Sequence, residues 1–282
     1  MIGLVTDSNA QLPPELLERY GVEVVPLTVM LDGVDHLEGV DLDADAFYAA
    51  FAEGTSPQVA TSQPSPGLFA AAYRRLAEAG AQEILSIHIG SSVSGTLNSA
   101  RLAATDSPVP VRVVDTGTAS FGVGCCVWEA AEALRAGATG EEAAAVAEAL
   151  APRIGNVFVV GALDLVRAGG RLAAGTPAGE GIPVLSLVEG AVQVVGTAAD
   201  VDEATAVMSD RVRSAGEGLR VAVGIADAAA APLWQALEAA LVGAPEVREV
   251  VRYRVGPSVG AHTGPGTAGA FFYPATRSRA TR

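Results

Sequence analysis

The stretch ILSIHIGSSVSGTLNSARLAA, residues 84–104, places an apolar run, a serine-rich turn and a helical pattern in direct succession. Residues 84–89 have the composition of a buried strand, and the segment after Gly95 predicts a helix that runs through Ala104. Strand–turn–helix units favour a parallel sheet whose ligands lie at the carboxyl ends of its strands. We therefore expect the serine-rich turn, residues 91–96, to lie at a ligand-binding edge.

The same alternation extends over the first half of the chain. Further strands are predicted at 2–5, 22–31 and 111–114, and helices at 13–20, 43–53, 66–80, 120–136 and 140–150. The pattern changes at Pro152. Beyond it, strands are predicted at 157–160, 184–188, 191–196, 220–226 and 247–255, with helices at 201–214 and 229–242 and a hairpin turn at Glu189-Gly190. The sequence thus predicts an α/β protein with two domains: residues 1–152 with a parallel, doubly wound sheet, and residues 153–282 with a mixed sheet.

Composition excludes several classes of function. The chain has 282 residues and a net charge of −14, and all 18 of its basic residues are arginines. Without lysine it cannot form a Schiff base or use a P-loop lysine. Its negative charge repels nucleic acid and limits contact with an anionic membrane to brief encounters. The adjacent Cys125 and Cys126, read as a buried pair, and the lack of a leader or membrane-spanning pattern favour a cytoplasmic protein.

Three motifs place small hydroxyl or imidazole groups beside glycine or proline. They are TSQPSP at 61–66, SSVSGT at 91–96 and HTGPG at 262–266. A turn of this kind brings backbone N–H groups close to an anion. The first motif can also be read as a helix-capping loop, since Ser65 and Pro66 suit an N-cap and a first helical position, and the second as a heavily capped helix start. A protonated His262 would give a carboxylate a charge-assisted hydrogen bond.

Metal and cofactor sites are not predicted. The three histidines lack spaced partners, and His88 reads as a satisfied core residue in mid-strand. The Gly169-Gly170 pair has two readings: a helix C-terminus, or a loop from which Arg167 and Arg171 face a charged ligand or partner.

An enzymatic alternative is a serine-dependent acyl hydrolase. In that reading Ser94 or Ser92 is the nucleophile and His262 the base, with Asp7 or Asp115 to orient the imidazole. Such hydrolases place the serine in a Gly-x-Ser-x-Gly turn, and residues 90–94 depart from that pattern at the last position.

In their order, the motifs identify a family resemblance. Thr6-Asp7-Ser8, TSQPS at 61–65, SSVSGT at 91–96, Gly169-Gly170-Arg171-Leu172 and HTGPG at 262–266 together resemble the DegV family of bacterial fatty-acid-binding proteins. The resemblance implies a long-chain fatty acid, such as one of about 16 carbons, held between the two domains. It also implies a carrier rather than an enzyme, one that presents the bound acid to a separate fatty acid kinase for phospholipid synthesis.

Carried over residue by residue, the family's carboxylate contacts fall on Thr61, on Ser94 or secondarily Ser92, and on His262. Arg171 matches a position of contact with the kinase. Residues 173–183 are rich in small side chains where the family carries an apolar helix and a Lys-Pro pair, so the resemblance is weakest there.

Overall fold

The computed structural model describes residues 1–52, 55–162, 165–166, 181–188 and 191–275. Its strands are β1 (Ile2–Asp7), β2 (Val22–Val25), β3 (Thr28–Leu31), β4 (Val34–Leu37), β5 (Val59–Ser62), β6 (Glu83–His88), β7 (Val111–Asp115), β8 (Gly155–Val159), β9 (Ile182–Val188), β10 (Ala191–Ala198), β11 (Leu219–Ile225), β12 (Val247–Arg254) and β13 (Ala268–Pro274). Its helices are α1 (Pro14–Tyr20), α2 (Ala44–Ala49), α3 (Pro66–Glu78), α4 (Thr96–Ala104), α5 (Phe121–Arg135), α6 (Gly140–Leu150), α7 (Val201–Arg213), α8 (Ala231–Leu241) and α9 (Pro257–Thr263).

A four-stranded parallel sheet in the order β2-β1-β6-β7 forms the first layer of strands. The chain leaves β1 toward β2 on one side and later builds β6 and β7 on the other. The strand order therefore reverses between β1 and β6, which is where parallel α/β sheets open a crevice for ligands. The predicted parallel, doubly wound sheet is confirmed.

The second sheet has six strands in the order β10-β9-β8-β13-β11-β12. Strands β11 and β12 pair in parallel and the other neighbours pair antiparallel, so the predicted mixed sheet is also confirmed. Glu189-Gly190 lie outside the described residues, although the strands on either side of them are antiparallel, with Ala191 opposite Val188. The proposed boundary between residues 152 and 153 stays a prediction.

Helix α5 lies between the two sheets and joins their cores. Phe121, at its start, stacks on Tyr253 of β12 with ring centroids 4.7 Å apart. Cys125 and Cys126 are buried in the same helix, as the sequence predicted. Burial raises the pKa of the Cys126 thiol to about 12, so it stays protonated and unreactive at neutral pH.

A partly buried charge cluster joins α5 to the six-stranded sheet. The guanidinium of Arg220 in β11 pairs with Glu129 of α5 and, at 3.0 Å, with Glu249 of β12. It also lies over the ring of Trp128, 4.4 Å from the centroid. Breaking such a pair from one side would leave a buried charge unpartnered, so the cluster keeps the two sheets in one relative position.

Three of the local predictions differ from the structure. Residues 22–31 form two strands in different sheets rather than one, because Pro26 has no N–H to donate and the N–H of Leu27 donates to Ser8 Oγ instead. Thr61 and Ser62 belong to strand β5, where a turn was expected, since they pair with Val29 and Thr28. The helix predicted at 43–53 is shorter and ends at Ala49.

Three further elements were not predicted. Strands β4, β3 and β5 form a small antiparallel sheet, β13 is a central strand of the six-stranded sheet, and α9 follows Gly256. Helix α9 packs on α2, β3 and β5, so a segment near the end of the chain lies on the small sheet near its beginning. That packing brings distant motifs to one place.

Candidate functional site

A cavity of about 550 Å³ lies at the carboxyl end of the parallel sheet, beside the point where the strand order reverses. This volume is in the range of pockets that hold small molecules. Strand β5, the turn before α4, helix α9 and one face of the six-stranded sheet all contribute to its wall. Residues that line it include Asn9, Thr61, Ser62, Gln63, Ser94, Gly95, Ser120, Val157, Phe158, Leu187, Val192, Tyr253, Ser258, Val259, His262 and Phe271.

Thr61 and His262 meet at the polar end of the cavity. Thr61 lies on β5 opposite Val29, and His262 lies in the last turn of α9. The threonine Oγ1 and the imidazole Nε2 are 2.9 Å apart, within hydrogen-bond distance. Both residues line the cavity, so a hydroxyl and an imidazole lie side by side in its wall.

Ser94 lines the same cavity, just before the N-terminus of α4. Its Oγ lies 2.8 Å from Oγ1 of Thr96 and accepts from the Thr96 N–H at 3.2 Å. The hydroxyl thus closes a short turn before α4, and Ser94 lines the cavity near the N-terminus of that helix, where backbone N–H groups favour negative charge. The ligand contact expected of this turn stays a prediction.

Ser92 and Ser91 differ from Ser94. Ser92 is exposed and is not one of the residues that line the cavity. Ser91 donates from its N–H and its hydroxyl to Asp115. Burial alone would raise the pKa of Asp115, but the hydrogen bonds from Ser91 and Gly117 outweigh it and lower that pKa. Asp115 is thus a carboxylate that holds the turn in place.

The remainder of the wall is mostly apolar. Phe158, Leu187, Val192 and Phe271 come from four strands of the six-stranded sheet, β8, β9, β10 and β13. Apolar walls bind aliphatic carbon by removing it from water. One end of the cavity therefore suits an anion, and the other end suits an alkyl chain.

Sequence reasoning missed several polar residues of the wall, among them Asn9, Ser120 and Ser258. Asn9 follows β1, Ser120 follows β7, and Ser258 opens α9. The first two come after predicted strands, as Ser94 does, which is the signal that was available in the sequence. Ser258 had none, because its helix was not predicted.

Asp7 and Asp115, the two carboxylates that could orient His262 in a hydrolase, are hydrogen-bonded to other groups. The carboxylate of Asp7 lies 2.9 Å from Nδ1 of His88 and accepts the N–H groups of Asn9 and Ile89. His88 is fully buried, and its Nε2 lies 2.6 Å from Ser86 Oγ, so it is the satisfied core histidine that the sequence predicted. With Asp115 bound to Ser91, the two proposed orienting carboxylates hold turns of the scaffold.

Some predicted sites lie outside the described residues. They include Arg167, Arg171 and residues 173–180 of the atypical segment, whereas residues 181–183 lead into β9. Over the described part of the chain, the structure contains no cluster of three or more His, Cys, Asp or Glu side chains that could hold a metal ion. No helix within those same ranges has the length and apolar character needed to cross a bilayer.

A family model and a related protein both match almost the whole chain. The model of a family described as "Uncharacterised protein, DegV family" matches residues 1–275. A DegV domain-containing protein of Streptomyces coelicolor is 37% identical over 273 residues, which cover 95% of this chain and 96% of the relative.

Two solved structures share the fold over almost the whole chain. A DegV family protein from Thermus thermophilus, described by its fatty acid binding, has 37% identity and a TM-score of 0.85, and the match covers 97% of this chain and 99% of that one. DegV of Bacillus subtilis, described as a fatty acid binding protein, has 25% identity and a TM-score of 0.84, with the same coverage.

Proposed function

The chain belongs to the DegV family, and from that premise we propose that it binds a long-chain fatty acid in the cavity described above. The observation that carries the proposal is the division of the cavity into a polar end, with Thr61, Ser94 and His262, and an apolar remainder. A fatty acid has the same division along its length. The fatty acid binding described for the Thermus and Bacillus proteins supports the same ligand class.

We propose that Thr61, Ser94 and His262 hold the carboxylate. Two hydroxyls and an imidazole can bind an anion without lysine when the site is partly closed to water, because hydrogen bonds to a charged acceptor are then strengthened. Thr61, Ser94 and His262 are all half-buried. Ser92, given second place by the sequence, has a weaker case because it is exposed.

The alkyl tail supplies most of the affinity in this proposal. Each buried methylene gains roughly 0.8 kcal/mol relative to water, so a chain of about 16 carbons gains at most on the order of 12 kcal/mol. A bilayer offers a similar gain. Exchange with a membrane is therefore near balance, and brief contact suffices to load or unload the protein.

We further propose a role as a carrier that presents the acid to a separate fatty acid kinase in the cytoplasm, for phospholipid synthesis. Ser62, Gln63 and Gly95 line the polar end of the cavity and are exposed, so a carboxylate bound there would be close to the surface. In this proposal Arg171 and Arg167 contact the kinase.

Native mass spectrometry tests the binding step. Protein freshly purified from a bacterial host should carry the added mass of one long-chain fatty acid, which solvent extraction removes and added palmitate restores. The proposal would be rejected if the purified protein carried no added mass and the extracted protein did not bind palmitate. Hydrolysis of p-nitrophenyl esters that Ser94→Ala abolishes would instead support the hydrolase.

The kinase step has its own test. Loaded protein, ATP and a bacterial fatty acid kinase should yield the acyl phosphate, and Arg171→Ala should slow its formation while palmitate affinity stays unchanged. Equal rates for the wild type and the variant would remove Arg171 from the kinase contact.

A further inference from the structure

Helix α9 carries His262 in its last turn, and its first turn is bound to a buried carboxyl group. The N–H of Ser258 donates to Oε1 of Glu38 at 2.8 Å, and the hydroxyl of Ser8 donates to Oε2. Glu38 is 6% exposed. Burial raises the pKa of Glu38, and the hydrogen bonds from Ser8 and Ser258 oppose that rise. A carboxyl group is costly to bury, so its place here calls for a function.

A second set of hydrogen bonds reaches the same turn of α9. Asn9 donates from Nδ2 to Ser258 Oγ at 3.3 Å, and its Oδ1 accepts from the N–H of Ser120 at 2.6 Å. Asn9 and Ser258 are both buried. These contacts tie the first turn of α9 to the end of β1 and to the start of α5.

The backbone of Ser120 is strained. Its φ of 57° and ψ of −148° lie in a region that is essentially restricted to glycine. The conformation aims the N–H of Ser120 at Asn9 and its hydroxyl at Oε1 of Gln11, 2.9 Å away. The strain at Ser120 and the burial of Glu38 each raise the free energy of the folded state. Both residues belong to the hydrogen-bond network around Ser258.

Close packing leaves α9 little freedom to slide. A Cβ on Gly260 would lie 2.5 Å from the hydroxyl of Tyr48, and one on Gly256 would lie 2.6 Å from Oε1 of Glu38. Only glycine permits these approaches. Tyr48 also donates to the carbonyl of Val255 at 3.1 Å.

We propose that Glu38 is a positioning residue for His262. Ser258 and His262 are four residues apart, one turn along the same face of α9, so a displacement of the first turn carries over to the imidazole. Glu38, supported by Ser8, Asn9 and Ser120, sets the register of the helix and thereby the distance from His262 to Thr61. The inference rests on the proposed function, because it assigns these residues to the site that binds the carboxylate.

Four variants test the assignment. Glu38→Leu leaves the donors of Ser8 and Ser258 unpartnered, whereas Glu38→Gln keeps an oxygen that can accept from Ser258. Ser8→Ala removes one donor to Glu38 together with the acceptor of the Leu27 N–H, and Ser8 itself lies outside the cavity wall. Met208→Ala is the control, since Met208 is fully buried in α7, on the far face of the six-stranded sheet. All four are compared in urea unfolding, in affinity for a fluorescent polyene fatty acid, and in the NMR signal of the His262 ring.

Glu38→Leu should weaken the affinity at least about tenfold, the scale of one lost hydrogen bond, and shift the His262 signal. Ser8→Ala should shift the His262 signal in the same direction but by less. Glu38→Gln should keep most of the affinity that Glu38→Leu loses. Met208→Ala should unfold more easily while its affinity and its His262 signal stay at wild-type values.

The proposal is overturned if Ser8→Ala and Glu38→Leu leave the His262 signal in place, or if Met208→Ala lowers the affinity as much as Glu38→Leu does. Should Glu38→Leu not fold, Ser8→Ala decides alone. If the wild type fails to bind the probe, the proposed function fails, whereas the His262 signal of the unliganded protein still tests the role of Glu38.

Discussion

Thr61 and His262 are 201 residues apart in the chain, and their side chains lie 2.9 Å from each other. One belongs to the small antiparallel sheet and the other to a short helix near the end of the chain. Both side chains line the polar end of the cavity. The geometry accounts for the presence of a hydroxyl and an imidazole in motifs that have no local reason to contain them.

Removal of the Thr61 hydroxyl should weaken binding of palmitate. Thr61→Val keeps the shape of the side chain, and we expect a loss of about tenfold in affinity, because a hydrogen bond to a charged carboxylate contributes about 1.5–3 kcal/mol and part of it is recovered by water. Thr61→Ser is the matched control and should bind within about threefold of the wild type. Titration of extracted protein gives the answer, and equal affinity for all three proteins would remove Thr61 from the site.

Ser94 and Ser92 offer a comparison within one turn. Ser94 lines the cavity and Ser92 is exposed outside it. Ser94→Ala should therefore lower palmitate affinity by about tenfold, whereas Ser92→Ala should change it by less than about twofold. Isothermal titration calorimetry on the two variants measures both values. A larger loss of affinity in Ser92→Ala than in Ser94→Ala would assign the carboxylate contact to Ser92 instead.

Val192 of β10 should limit the length of the bound chain. It is a buried part of the apolar wall, and Val192→Phe adds bulk to space that the tail would occupy. We expect affinity for palmitate to fall by at least about tenfold, since several methylenes lose their burial at roughly 0.8 kcal/mol each. An eight-carbon acid serves as the internal control, because its affinity should be unchanged. Equal losses for both acids would mean that the tail does not reach this wall.

The stability of the protein should depend on pH through Glu38. The pKa of this group is raised above its usual value of 4.5, mainly by burial. Between that value and the raised one, the folded protein holds a proton that the unfolded chain has released, so the free energy of unfolding falls as pH rises. Glu38→Gln lacks the titrating group and should lose this component of the slope. Urea unfolding from about pH 4 to about pH 8 compares the two, and parallel curves would contradict the prediction.

Ser120 provides a test of backbone strain. Its φ is 57°, a value that costs about 1–3 kcal/mol for a residue with a Cβ. Ser120→Ala keeps that strain and loses the hydroxyl, whereas Ser120→Gly loses both. We therefore expect the glycine variant to be more stable than the alanine variant by about 1 kcal/mol, even after the greater chain entropy of glycine is included. An alanine variant of equal or higher stability would show that the backbone is relaxed.

Much of the fold could be predicted locally. Helix α6 begins at Gly140 and ends at Leu150 as expected, because Thr139 and Glu142 form a capping box within four residues. The start of α3 is also set by neighbouring residues, because Ser65 accepts the Leu68 N–H and Pro66 holds the first helical position. The prediction of one strand at 22–31 was wrong because the apolar run continues through Pro26. No local signal indicates that its two halves enter different sheets.

The sequence by itself determined the alternation of strands and helices, the class of the two larger sheets, and the chemical types at the site, since these depend on short-range patterns of apolar, small and polar residues. The tertiary structure alone decided that Thr61, Ser94 and His262 line one cavity, that Ser92 lies outside it, and that Glu38 is buried beneath α9. These relationships join residues up to 220 positions apart. They arise when helix α9 packs on the small sheet, and packing between distant segments has no period or spacing that a single sequence can display.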